Sequence, residues 1–228
     1  MYSISDRIKQ FYERFPITAT IIAINTVMVL VTLFMGGFTI DHLLSLGAIK
    51  PILITENHEY FRLIMPMFLH GSVFHYLANT YFIYIIGPFM ERLLGKKKFV
   101  LIYLLSGLGS SLVIWWLGNP YQTTIGASGA IFGILGALLL LTYIKPSWFT
   151  TMMIKNIRFI TIINLLFTFI MPNISKLGHL GGFFTGIILI YFLIPNRPSL
   201  KSIFTKHSKI GQTIIIDDEY PDDDIYYH

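Results

Sequence analysis

The chain contains no cysteine. Disulfide frameworks, thiolate metal sites and cysteine nucleophiles are therefore excluded. Charge is also scarce: 13% of the 228 residues are charged, against roughly 25% in soluble domains. With 54% hydrophobic residues, that composition predicts an all-α, multi-pass membrane protein. Long internal repeats and low-complexity tracts are missing as well, so solenoid and array architectures are not indicated.

What is present is a series of long apolar runs. Windows of about 19 residues pick out six spans, each able to cover the hydrocarbon core as a helix. They cover 17–38, 73–94, 98–117, 125–144, 157–172 and 177–195. The fifth is the shortest and is interrupted by Asn164. The first is too long for a signal-peptide core and carries no Ala-x-Ala cleavage site, which predicts a retained helix. The expected organisation is a short N-terminal segment, 1–16, a six-helix domain, 17–195, and a polar tail, 196–228. The tail ends in Asp217-Asp218-Glu219-Tyr220-Pro221-Asp222-Asp223-Asp224, a block expected to be disordered and solvated.

Basic residues set the expected orientation, because Lys and Arg accumulate on the cytoplasmic side. Alternate connections hold Arg7, Lys9 and Arg14, then Arg92, Lys96, Lys97 and Lys98, then Lys145, Lys155 and Arg158, then Arg197, Lys201, Lys206 and Lys209. The other side holds only Lys50, Arg62 and Lys176 of the 17 basic residues, which places both termini in the cytoplasm. The long outer connection, 39–72, carries enough Leu, Ile, Phe and Met to lie partly in the membrane interface.

Topology assigns a depth to each polar residue. Spans two, four and six all descend from the outer face. His75 and Asn79, Ser128, and His179 therefore meet at one level, about 5–10 Å below that face at a rise of about 1.5 Å per residue. Taken singly each has a bland reading. Asn79 and His75 are spaced i, i+4 and could simply bond neighbouring helices. Ser128 could be a small residue in a helix seam, and His179 a buried imidazole held by a carbonyl. Their shared depth favours function, because polar groups inside a membrane are costly and mark working sites.

The chemistry this set supports is acyl transfer. A serine hydroxyl is a weak nucleophile until a base takes its proton, and His179 is the available base. Small residues let the two helices approach: Gly178, Gly182 and Gly186 recur every four residues, as do Gly129 and Gly133. The carboxylates are Asp6, Glu13, Asp41, Glu56, Glu59 and Glu91 plus six in the tail. None falls in the outer half of a span, so a Ser–His dyad is expected, with His179 oriented by packing and by stacking on Phe132. Asn79, His75 and the Ser128 backbone N–H are the candidate donors to an oxyanion. Position 130 is alanine, so the soluble-hydrolase Gly-x-Ser-x-Gly elbow is not matched.

Three stretches carry a specific resemblance. Gly126-Ala127-Ser128-Gly129, His75-Tyr76-Leu77-Ala78-Asn79 and Gly178-His179-Leu180-Gly181-Gly182 with Gly186 resemble the core motifs of the rhomboid intramembrane serine proteases. The likeness covers about 17–195. His70 resembles the first histidine of the family's His-x-x-x-x-His-x-x-x-Asn stretch, and Glu91-Arg92-Leu93-Leu94-Gly95 its acidic-glycine segment. Phe61-Arg62 stands where the family usually has Trp-Arg.

The resemblance implies a six-helix rhomboid-like bundle with Ser128 as nucleophile, His179 as general base and acid, and His75 and Asn79 as oxyanion donors. It implies cleavage of transmembrane segments of other membrane proteins, and a lateral gate carried by the weak fifth span. No cofactor, resident metal or nucleic acid is implied; the partners are membrane-protein substrates and the lipid bilayer, and the oligomeric state is left unspecified. The compact six-span plan suggests a bacterial plasma membrane. Two other classes compete: a catalytically silent, client-binding relative, and a metal site built on His70, His75 and His179. The first predicts loss of the serine or histidine, and both are present.

Overall fold

The computed structural model describes residues 3–172 and 174–196; apart from Asn196, the expected tail lies outside them. Among the described residues nine α-helices run in chain order: α1 Ile4–Arg14, α2 Pro16–Phe34, α3 Ile40–Ser45, α4 Pro51–Asn57, α5 Val73–Leu94, α6 Lys96–Leu117, α7 Ser128–Ile144, α8 Thr151–Ile170 and α9 Lys176–Leu193. Among the described residues the sole β pairing is an isolated bridge between Ile49 and Thr124. Of these described helices four, α2, α6, α8 and α9, are long and apolar enough to cross a membrane. Helix α7 is apolar but has 17 residues, and α5 dilutes its apolar run with His75, Asn79, Thr80 and the Glu91-Arg92 pair.

The largest end shifts fall in the first, fourth and fifth predicted spans, while the others agree to within about two residues. The first overshoots: α2 stops at Phe34 because Gly36 and Gly37 take φ of 110° and 102°, a region natural only to glycine, and the Gly37 N–H turns back to the Thr32 carbonyl at 3.0 Å. The fourth begins later, at Ser128, because Thr124 pairs with Ile49 and Gly126 adopts φ 128°. The fifth begins earlier, at Thr151, where the Thr150 hydroxyl accepts from the Met153 N–H at 3.2 Å. Its first turns hold Lys155, and Arg158 follows them. Arg158 lies over the Tyr143 ring at 3.9 Å and donates to the Thr142 hydroxyl and carbonyl, each at 3.1 Å. Nor does Asn164 break the helix, since its amide donates to the Ile160 carbonyl at 2.8 Å.

The core runs through α5, α6, α7 and α9, with Phe99, Ile102, Tyr103, Ile134, Leu135 and Leu141 fully enclosed. Helices α7 and α9 touch backbone to backbone. A Cβ at Gly182 would collide with the Gly129 carbonyl, and one at Gly186 with the Gly133 carbonyl. Such seams place short side chains within reach of each other.

The 39–72 connection is pinned over one end of this bundle. Arg62 is buried there; it donates to the Leu44 and Ala48 carbonyls at 2.7 and 2.9 Å and to Glu59 at 2.6 Å. Hydrogen bonds from the Asn57 amide and from Arg62 hold the Glu59 carboxyl below its usual range. The Ile49–Thr124 bridge and the Gly126 N–H bond to the Pro66 carbonyl, 2.8 Å, fasten the connection to the chain just ahead of α7. At the opposite end the Glu91 carboxylate, 4% exposed, accepts from the Ile17 and Thr18 N–H groups and the Thr18 hydroxyl at 2.9–3.0 Å, capping α2.

Candidate active site

Ser128 is the first residue of α7, and its position follows from the turn before it. Gly126 at φ 128° redirects the chain, Ala127 precedes the helix, and no side chain caps the first turn. The leading N–H groups of α7 are therefore open donors at the positive end of the helix dipole. His179 lies in the first turn of α9. There Ser175 starts the helix by accepting from the Gly178 N–H at 3.2 Å, and its carbonyl accepts from the His179 N–H at 3.0 Å.

The two residues line one small cavity together with Gly126, Gly129, Ser110, Ser175 and Gly178. Its space for a water centre is about 20 Å³, room for one water at a time. Ser128 and His179 are not hydrogen-bonded to each other, a spacing common in unliganded sites that tighten on substrate. The His179 ring is 8% exposed and stacks on Phe132 with centroids 4.0 Å apart and planes at 17°. Phe132 is one helical turn after Ser128, so the helix that carries Ser128 supplies the surface that holds the imidazole flat.

His75 and Asn79 occupy the first two turns of α5, which starts where the Ser72 hydroxyl accepts from the His75 N–H at 3.1 Å. A Cβ at Gly126 would come within 2.9 Å of the His75 ring and 3.4 Å of the Ser128 hydroxyl. Glycine at 126 thus leaves the gap between these two side chains open. Asn79 is 7% exposed, and its amide nitrogen has no protein hydrogen-bond partner. Neither His75 nor Asn79 lines the small cavity itself. His70, in the connection outside the helices, is buried edge-on to His75 at 5.2 Å and to Tyr76 at 5.6 Å. Burial, with His75 close by, pushes its imidazole down to about 3. Among the described residues no group of three or more His, Asp or Glu side chains is gathered as a metal site would need.

The family model for the Rhomboid domain matches residues 57–196. The chain belongs to the rhomboid family. The matched stretch includes every side chain of the site, from His70 through His179. It is similar to the rhomboid protease GluP of Bacillus subtilis, 38% identical over 170 residues, covering 74% of this chain and 33% of GluP. It is likewise similar to RHOMBOID-like protein 1 of Arabidopsis thaliana, 39% identical over 155 residues, covering 66% of this chain and 39% of that protein. YdcA of Bacillus subtilis is 32% identical over 141 residues, 62% of this chain and 71% of YdcA. The chain thus spans between a third and two fifths of the first two relatives. As a rhomboid protein it is an integral, multi-pass membrane protein.

One residue of the site was not legible as such in the sequence. Thr168 of α8, 1% exposed, places its hydroxyl 2.8 Å from the His179 Nδ1. Thr161, Thr26, Thr32 and Thr185 all sit in helices and bond the carbonyl four residues back. Thr168 does the same to Asn164, so its sequence context resembles theirs.

Proposed function

We propose that this chain is an intramembrane serine endopeptidase that cuts transmembrane segments of other membrane proteins. The observation that carries the reading is the shared cavity of Ser128 and His179, with the imidazole stacked on Phe132. In this reading α2, α5, α6, α7, α8 and α9 all cross the bilayer. The basic connections and both termini lie in the cytoplasm, and the site opens toward the outer face of a bacterial plasma membrane. The rhomboid domain then occupies 17–195, between the 1–16 segment carrying α1 and the 196–228 tail.

The reaction divides into two acyl transfers. The His179 Nε2 takes the Ser128 proton as Oγ attacks the peptide carbonyl, and the resulting oxyanion meets the Ser128 N–H, the Asn79 amide and His75. The imidazolium returns its proton to the departing amine, leaving an acyl-serine. Water entering the cavity then gives its proton to His179 and its oxygen to the acyl carbon, and the proton passes back to Ser128 Oγ. No carboxylate is needed as a third member, because stacking on Phe132 restrains the ring that an acid orients elsewhere. A substrate helix must unwind first, since its peptide bonds are shielded by their own hydrogen bonds.

The test is labelling of detergent-purified protein with a fluorophosphonate, with and without a chelator, alongside Ser128→Ala and His179→Ala. Labelling that needs both residues and ignores the chelator is expected. Asn79→Ala should slow cleavage by about 100-fold without abolishing it, as one of several oxyanion donors. Well-folded wild type that never labels would favour a client-binding, non-catalytic rhomboid protein instead.

A further inference from the structure

We infer that Thr168 is a positioning residue that fixes the proton of His179 on Nδ1, and so presents Nε2 as the base. This rests on the serine-protease reading above. Its starting point is the count of protons at one buried oxygen. The Thr168 hydroxyl lies 2.9 Å from the Asn164 carbonyl and 2.8 Å from the His179 Nδ1, and it has a single proton to give. A carbonyl only accepts. When the hydroxyl donates to Asn164, the bond to the ring is made by Nδ1–H donating to the threonine oxygen, and the lone pair of the neutral imidazole is then on Nε2.

The alternative arrangement gives the threonine proton to Nδ1 and puts the ring proton on Nε2. That nitrogen makes no protein hydrogen bond and belongs to a residue lining the cavity with Ser128. A ring in that form could not take the serine proton. The Asn164–Thr168–His179 chain also suits the next step, because the imidazolium keeps its Nδ1–H on the same oxygen. A neutral hydroxyl polarised by a carbonyl thus stands where soluble enzymes place a carboxylate, without burying a charge in the bilayer.

The bond also crosses a lightly packed seam. Only 11% of the apolar window of α8 is buried within the protein, against 39% for α9. Between α8 and the base, Thr168 is the polar link, so displacement of α8 would free the ring to exchange tautomers.

The experiment compares Thr168→Val, which keeps the shape and removes the hydroxyl, with Thr168→Ser, which restores it. Folding is checked by thermal unfolding in detergent, and turnover is measured on a single-span membrane substrate. The Val variant is expected to lose about 10-fold in kcat, the size of one neutral hydrogen bond, with KM unchanged, and the Ser variant to recover most of it. A second readout does not depend on activity: nitrogen-15 NMR of His179-labelled protein should find the neutral ring protonated on Nδ1 in wild type and on Nε2 in the Val variant. A wild-type ring protonated on Nε2 would overturn the inference, as would Val and Ser variants equally slow. If wild-type protein does not react with fluorophosphonate yet shows the Nδ1 proton, the protease reading fails while the hydrogen-bond assignment survives.

Discussion

The imidazole of His179 lies face to face with the ring of Phe132, 4.0 Å between centroids. Two properties of a histidine side chain matter for proton transfer: the orientation of the ring and the identity of the protonated nitrogen. Phe132 restrains the tilt, and the hydroxyl of Thr168 meets the edge of the same ring.

Replacing Phe132 by Leu keeps apolar volume and removes the flat surface. The expected result is a fall of up to about 10-fold in kcat, matching an aromatic pair worth about 0.5–1.5 kcal/mol, with Phe132→Tyr close to wild type. Steady-state cleavage kinetics check this, and a Leu variant as fast as wild type would remove stacking from the account.

Gly182 faces the Gly129 carbonyl so closely that no Cβ fits. Gly182→Ala should force α7 and α9 apart, costing about 1–3 kcal/mol as an overpacked core does. It should also lower fluorophosphonate labelling, because Ser128 and His179 ride on the separated helices. Thermal unfolding in detergent and the labelling rate are read together. Normal values of both would mean the seam relaxes without consequence.

Much of this arrangement was legible in the sequence, for a simple reason. Apolar runs long enough to span a bilayer have few other uses, so the helices appear as runs, and Ser128, His75, Asn79 and His179 appear as polar interruptions of them. Errors arose where a local interaction masked the pattern. Lys155 and Arg158 made the start of α8 read as a basic connection, although Tyr143 and Thr142 absorb the Arg158 charge. Gly36 and Gly37 continued the hydropathy of α2 while ending its geometry. Thr168 stayed hidden because a threonine bonded to its own helix reads the same whether or not a histidine comes to it from another.

His70 makes the 39–72 connection sensitive to pH. Its folded value is pushed down to about 3 by burial, then by His75, against about 6.5 for a free imidazole. The unfolded chain therefore binds a proton below about pH 6.5 that the folded protein refuses, so stability is full above that pH and falls toward pH 3. Near pH 5 the loss from this residue should be about 2 kcal/mol. The difference between wild type and His70→Gln, taken from unfolding curves at each pH, isolates it. Parallel curves for the two proteins would show that His70 takes up its proton without unfolding.

Glu91 is bound by three donors from the start of α2. Glu91→Ala strips that helix of its cap and should cost about 2–4 kcal/mol, given about 1.5–3 kcal/mol for a hydrogen bond to a charged group. Glu91→Gln, which keeps one acceptor oxygen, should fall between. An unchanged unfolding temperature in the Ala variant would contradict the capping role.

That cap also imposes an order on biosynthesis. The acceptor of the Thr18 N–H is 73 residues further along the chain, so α2 leaves the ribosome before the group that finishes it exists. Helix α2 therefore starts with its leading amides bound to water or headgroups, and can exchange them for Glu91 only once α5 has been made. Until that exchange, the start of α2 has no side-chain cap. Assembly of the bundle is thus the step that locks its first helix in register.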